Sequence, residues 1–371
     1  MAETRLLDCD THFTDHEANL WDVPSLGVRP EVVEHGGHRR LRIGELLFPR
    51  PDGPGRGNPR GLEHLIGEGH DDDRAEFMAD NGVLAAVLQP GFVGLSVQAV
   101  PDPAQRTAIA ARYNDLAAAA CAGSALRLRW SILLSAEDPG WSLAELARHG
   151  DDPNAVGATV RPTARTSSAR LSSVAFGAVL RELAERRLAL FVHGGTGCYQ
   201  WSPLADGYQD YAVTHALGHT GEQLIALVDL LTRPGGLPDG LGVVLLESGV
   251  SWIPSFLARL DGHAGRLGSG PGSGSGAALP SEAFARHFAV VPDPGERYAA
   301  WALRELGWDC VLFGSDYPHW DTVRAADWLD AFGADCPPER LHRTTSRLVP
   351  RLPVPMLDPA SRSSAPVRLE V

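Results

Sequence analysis

Two stretches decide the fold: Arg5-Leu-Leu-Asp-Cys-Asp-Thr-His12 near the start of the chain and Cys310-Val-Leu-Phe-Gly-Ser-Asp-Tyr-Pro-His319 towards its end. Each is an apolar run that finishes in side chains able to ligate a metal. Residues i and i+2 of a strand face the same side, so Asp10 and His12 can hold one ion together. The second run delivers Asp316, as the closing strand of a barrel would if its metal sat at the strand ends. Between them, Leu188-Ala-Leu-Phe-Val-His193 is the most apolar run, and Gly194-Gly195 after it permits close backbone approach to something bound above.

Outward from these runs, eight candidate strands can be read: Leu6–Asp10, Leu84–Gln89, Arg129–Leu134, Ala155–Arg161, Ala189–His193, Gly242–Glu247, Ala285–Val290 and Val311–Asp316. Ala/Leu/Arg-rich stretches with helical spacing lie between most of them, among them Thr107–Ala122, Ser172–Arg187, Gly221–Thr232 and Arg297–Leu306. Strands alternating with helices imply a parallel sheet, and eight of them imply a closed (β/α)8 barrel, here a single α/β domain over residues 1–371. Within the seventh strand, Ala-Arg-His-Phe also reads as the end of a helix.

Three segments break the pattern. Residues 22–72 are rich in Gly, Pro, Arg and His, with one strand expected around Leu41–Phe48. They form a long insertion after the first strand, on the face where such loops act as lids or substrate walls. Residues 264–280 are Gly/Ser low-complexity sequence, expected to be a mobile surface loop, and 351–371 is a Pro/Ser-rich tail.

The formal net charge of −13 disfavours nucleic acid and anionic membranes as partners. The start of the chain leaves no room for a signal peptide, and no apolar run is long enough to span a bilayer. The 5 cysteines are widely spaced and odd in number, which points to free thiols in a reducing cytoplasm.

Asp10, His12, His193 and Asp316 together supply imidazoles and carboxylates from strands one, five and eight. That set suits one divalent ion, Zn2+ first and Mn2+ or Fe2+ as alternatives. The plainer readings are a polar strand end, a satisfied strand-end histidine and a helix N-cap. They do not explain why all four fall on strand ends of one barrel. Glu247 ends an apolar strand and must be paired or face the metal site. It is read as a general acid/base, as an outer partner of His193, or as the ionic partner of Arg161. His215 and His219 are placed in a loop over the barrel mouth, His215 as a catalytic group and His219 on the substrate side; the bland alternative is an exposed loop histidine. His319, Arg161 and Trp252 complete the expected substrate side, and Trp201, Tyr208 and Tyr211 suggest an aromatic wall.

The chain resembles the amidohydrolase-2 family, the branch that includes aminocarboxymuconate-semialdehyde decarboxylase and the resorcylate decarboxylases. The resemblance is carried by Asp8-Cys-Asp-Thr-His12, Tyr113-Asn-Asp115, Gly157-Ala-Thr-Val-Arg-Pro162 and Phe191-Val-His193-Gly-Gly. It extends through Glu247-Ser-Gly-Val-Ser-Trp-Ile-Pro254 and Arg259-Leu-Asp261 to Gly314-Ser-Asp316-Tyr-Pro-His319. It implies Asp10, His12, His193 and Asp316 as ligands. The chain departs from it in having Asp-x-His where some members have His-x-His or Glu-x-His. Glu247 stands where several decarboxylases have a proton-transferring His, and Thr344-Thr-Ser346 replaces an Asn-Ala pair. The expectation is a cytoplasmic metal-dependent enzyme acting on a small carboxylated or cyclic molecule, with a homodimer left open. Three activities compete: non-oxidative decarboxylation, hydrolysis of an amide, lactone or ester, and an inactive barrel kept for binding.

Overall fold

The structure is a computed structural model that describes residues 5–62, 71–124, 126–164, 169–198, 204–267 and 278–353. Its main sheet has the order β1 (Leu6–His12), β5 (Val83–Gln89), β6 (Leu128–Leu133), β7 (Ala155–Val160), β8 (Ala189–Val192), β9 (Val243–Leu245) and β10 (Phe288–Val290). Every neighbouring pair is parallel. The eighth expected strand is present as isolated bridges: Val311 pairs with Val290 of β10, Phe313 with Asp8 and Tyr317 with Thr11 of β1. Leu312 N–H donates to Val290 O at 3.0 Å and Cys9 N–H to Phe313 O at 2.9 Å, which closes the ring. The fold is therefore a (β/α)8 barrel.

Alternation along the strands builds two cores. Leu7, Cys9, Val87, Val156, Phe191 and Leu312 fill the barrel interior, closed below by Leu348 and Leu352. Leu6, Leu88, Ile132, Val160, Leu190 and Val243 face outwards against the helices. A polar layer lies between the inner core and the mouth. Gln89 Oε1 accepts hydrogen bonds from Ser131 Oγ at 2.9 Å and Thr159 Oγ1 at 2.7 Å, and its amide donates to Cys9 O.

The structure alters three expectations. Residues 285–287 end a helix, Pro280–His287, and only Phe288–Val290 is strand. His215 and His219 lie not in a loop but in the helix Tyr211–Leu231, which starts well before Gly221 because Asp210 caps Val213 N–H at 3.2 Å. The insertion carries an antiparallel sheet of β2 (Pro30–His35), β3 (His38–Ile43) and β4 (Leu46–Phe48). Gly44, at φ +61°, turns the chain inside the expected single strand. The insertion lies on the mouth side: Arg50 N–H donates to Gly197 O at 2.9 Å, and Thr214 Oγ1 to Arg56 O at 3.0 Å. Trp201, residues 268–277 of the Gly/Ser segment and the tail beyond 353 lie outside the described residues. Among the described residues no helix is long and apolar enough to cross a membrane.

Candidate metal centre

The pairing of β1 with β5 slips between Asp8 and Thr11. Leu7 and Cys9 point into the barrel core, and the irregularity lets Asp10 and His12 turn over its mouth. Both are buried, as is His193 just past β8. Two loops bring the remaining groups. Glu247, two residues past β9, and Asp316 take left-handed φ values of 51° and 56°, uncommon for residues with a side chain.

Six side chains converge. Asp10, His12, His193 and Glu247 form one set and His12, Glu247, Asp316 and His319 a second, with the ligand atoms of each set within 4.8 Å of one another. The sets share His12 and Glu247, whose Nε2 and Oε1 are 3.2 Å apart, so they describe one centre. His193 Nε2 is 3.0 Å from Glu247 Oε1 and 3.3 Å from His12 Nε2. His319 stacks on His12, ring centroids 4.0 Å apart.

The donor chemistry fits a divalent cation. The Nδ1 atoms of His12 and His193 lie 2.7 Å from Pro90 O and 2.5 Å from Gly194 O. Nδ1–H donating to each carbonyl leaves both Nε2 lone pairs facing the centre. Asp10 Oδ1 is buried without a hydrogen-bond partner. Asp316 Oδ1 lies 2.7 Å from His319 Nδ1 and 3.1 Å from His12 Nε2, yet aligns for a hydrogen bond with neither. Burial first, and the Glu247 charge second, hold Asp10 and Asp316 well above the usual carboxylate range. Burial also opposes ionisation of Glu247, but His193 and His12 overcome it and hold its carboxyl well below that range. Against the same burial, Glu247 and then Asp10 push His193 up to about 9. Carboxylates this close do not all ionise without added positive charge.

Other expected residues are distributed around this centre. His219 is locked: its Nδ1 is 3.0 Å from Glu247 O and its Nε2 accepts Thr196 N–H at 3.2 Å. His215 stacks on it at 4.3 Å and is pushed down to about 4 by burial and by His219. Trp252 Nε1–H donates to Ser248 O at 3.1 Å. Both His215 and Trp252 line a cavity of about 430 Å³ that opens on Asp10, Glu247 and Asp316. Tyr211 lines a smaller neighbouring pocket, while Tyr208 is exposed. Arg161 pairs with Glu222 at 3.3 Å and not with Glu247, because Glu222 projects towards it from the helix Tyr211–Leu231. It lines neither cavity.

Sequence reading gave no role to two supporting groups. The Asp8 carboxylate accepts Ser315 N–H at 3.0 Å and Ser315 Oγ–H at 2.5 Å, tying the loop of Asp316 to β1. Arg74 donates to Thr11 Oγ1 at 2.5 Å and His12 O at 2.6 Å, and lies over the Tyr317 ring. Asp8 stood inside the quoted motif as a hint, whereas nothing in the sequence set Arg74 apart.

The family model described as Amidohydrolase matches residues 7–344. The chain belongs to this amidohydrolase family. A gamma-resorcylate decarboxylase from Rhodococcus jostii (strain RHA1) is 26% identical over 274 residues, covering 70% of this chain and 80% of the relative. Among solved structures, an amidohydrolase from Mycobacterium avium subsp. paratuberculosis K-10 superposes with a TM-score of 0.65 at 15% identity, over 96% of this chain and 100% of that one. A dihydroxybenzoic acid decarboxylase from Polaromonas sp. JS666, solved with bound manganese and the inhibitor 2-nitroresorcinol, gives a TM-score of 0.58 at 18% identity, over 76% of this chain and 88% of that one. At these identities the solved structures speak for the amidohydrolase fold alone.

Proposed function

We propose that the protein is a metal-dependent, non-oxidative decarboxylase of a small aromatic or cyclic carboxylic acid. The observation that carries the reading is the convergence of three imidazoles and three carboxylates at the barrel mouth, in a chain whose curated relatives include gamma-resorcylate decarboxylases. Asp10, His12, His193 and Asp316 would hold one divalent ion, with Glu247 and His319 within reach of it. When bound, that ion supplies electrostatic stabilisation of the charge that develops as the C–C bond breaks.

The chain's own residues do the rest. Pro90 O and Gly194 O fix the two ligand rings. The cavity admits a compact acid with its carboxyl towards the centre, and Trp252 and Val291 give it apolar wall. Loss of CO2 leaves an electron pair on carbon, which must take up a proton. His219 has both ring nitrogens engaged and cannot carry it. His319, its Nδ1 2.7 Å from Asp316 Oδ1, stands at the centre, and His215 borders both pockets beside it with no hydrogen bond to its ring nitrogens among the described residues. We assign the proton delivery to these groups and the anchoring of His12 and His193 to Glu247.

Hydrolysis is the second reading, favoured by the Glu247 carboxylate 3.0 Å from His193 Nε2, where it can serve as a base. Incubation of the metal-loaded protein with 2,6-dihydroxybenzoate and related acids, following CO2 release, tests the first reading. Acid release from lactones or esters with no CO2 from any carboxylate would replace it by the second. Metal analysis of the purified protein decides between Zn2+, expected from the donor set, and Mn2+.

A further inference from the structure

Three consecutive carbonyls of the turn that carries Glu247 are held by one helix. Gln223 Nε2–H donates to Leu246 O at 3.1 Å, His219 Nδ1–H to Glu247 O at 3.0 Å and Thr220 Oγ1–H to Ser248 O at 3.0 Å. Residues 219, 220 and 223 share one face of the helix Tyr211–Leu231, so they reach the turn together. The same face grips the segment of His193. Gln223 Nε2–H also donates to Val192 O at 2.6 Å, and His219 Nε2 accepts Thr196 N–H at 3.2 Å. The helix itself is tied to the end of β7, where Thr163 Oγ1–H donates to Glu222 at 3.0 Å.

β8 and β9 last pair at Val192 and Leu245, and Leu246 N–H donates to Val192 O at 3.2 Å. Their ladder ends there, one residue before His193 Nε2 and Glu247 Oε1 come to stand 3.0 Å apart. Gln223 is fully buried, and its amide bridges the two strands at the point where they part. Both partners are carbonyls, which only accept, so the orientation of the amide is settled. Its Oε1 is left buried without a hydrogen-bond partner. An unpaired buried acceptor costs stability and offsets what the two bonds contribute. The amide therefore matters for alignment more than for holding the barrel together.

Resting on the metal-dependent reading of the centre, we infer that Gln223 is a positioning residue: with His219 and Thr220 it clamps His193 and Glu247 at the separation at which they serve one ion. Such a constellation tolerates only about 0.5 Å of slack. Groups that orient ligands from outside are worth roughly 10–100-fold in metal affinity.

The test compares wild type with Gln223→Met, which keeps the length of the side chain and removes both donors, and with Thr220→Val, which removes only the hold on Ser248 O. Each apoprotein is titrated with Mn2+ by calorimetry and with Co2+ by visible absorption, and its melting temperature is measured before loading. Gln223→Met should weaken Mn2+ binding about tenfold or more and alter the Co2+ band, with the apoprotein melting temperature little changed. Gln223 lines neither cavity, so with 2,6-dihydroxybenzoate as probe kcat should fall while KM stays. Thr220→Val should move affinity and band in the same direction by less, and it carries the test if Gln223→Met does not fold. A lowered apoprotein melting temperature with unchanged Mn2+ affinity and Co2+ band would reduce the clamp to barrel packing and overturn the inference. Wild type that binds the ions but releases no CO2 counts against decarboxylation, while the metal titrations still decide the clamp. Wild type that binds neither ion overturns both.

Discussion

Glu247 and Asp316 hold positive φ angles at the points where their carboxylates turn over the barrel mouth. Each such conformation costs on the order of 1–3 kcal/mol, so the surrounding structure must enforce it. For Asp316 the enforcement is visible: its N–H and that of Ser315 both donate to Asp10 O, at 2.7 and 3.1 Å. For Glu247, His219 Nδ1 approaches the backbone carbonyl at 3.0 Å. Glu247→Gln keeps shape and most hydrogen bonding but removes the charge between His12 and His193. We expect metal affinity to fall by roughly tenfold or more, with turnover down by roughly 10²–10⁴. Calorimetric titration of the variant with Mn2+ or Zn2+ checks this; unchanged affinity with lost turnover would make Glu247 a proton carrier, and unchanged values of both would remove it from the centre. Gly314 tests the same geometry from below. A Cβ there would lie 2.6 Å from Asp10 Cβ and 2.7 Å from Val291 Cγ1. Gly314→Ala should therefore displace Asp10, weaken metal binding and cost about 1–3 kcal/mol, seen in denaturant melts. That Asp10, His12, His193 and Asp316 meet at one centre was legible because strand alternation and short motifs are local. The roles of Glu247 and Arg161 were not, since each depends on which distant side chain the fold brings opposite it.

At the scale of elements, sequence reading succeeded where periodicity was clean and failed where two elements share one apolar run. In Phe284–Val290 the side chains of Phe284 and Phe288 stack at 5.2 Å, one on the helix Pro280–His287 and the other in β10. Hydrophobicity alone gives no boundary between them. Sequence reading began the helix Tyr211–Leu231 only at Gly221 and left His215 and His219 in a loop. At the helix–strand junction His287 is buried and its Nδ1 lies 2.9 Å from Leu241 O. Burial, then the nearby Arg286, lowers its pKa from 6.5. A histidine held neutral in the folded state contributes stability above its unfolded pKa of 6.5 and loses it as pH falls through the lower folded value. The protein should therefore lose melting temperature on acidification from pH 7.5 to about 5.5. His287→Asn, which keeps a donor to Leu241 O and does not titrate, should lose less over the same range. Parallel thermal melts in matched buffers measure the difference, and equal slopes would count against this assignment.

The whole molecule sets a barrel with two apolar cores against a mouth crowded with acids, in a chain of formal net charge −13. The inner core, Leu7 to Leu352, does not depend on the centre, whose candidate ligands sit at or just past strand ends. Removing the metal should thus loosen the mouth and leave the barrel folded. A ligand that binds only the folded state stabilises it by about 2.7 kcal/mol at a hundred times its dissociation constant. Exhaustive chelation should then lower the melting temperature by a few degrees, and one equivalent of the native ion should restore it. His193→Ala removes a ring that contacts Glu247 at 3.0 Å and lies near Asp10 at 3.9 Å. That variant should melt cooperatively with native far-ultraviolet circular dichroism, bind no metal after dialysis, and gain no melting temperature from added Mn2+ or Zn2+. A wild-type protein whose melting temperature responds to neither chelator nor added ion would show that the acids at the mouth are balanced within the chain. The charge arrangement argues the other way: three carboxylates share the space between three imidazoles, and burial together with Glu247 already drives two of those acids towards their neutral forms. All three ionise together only with a cation among them.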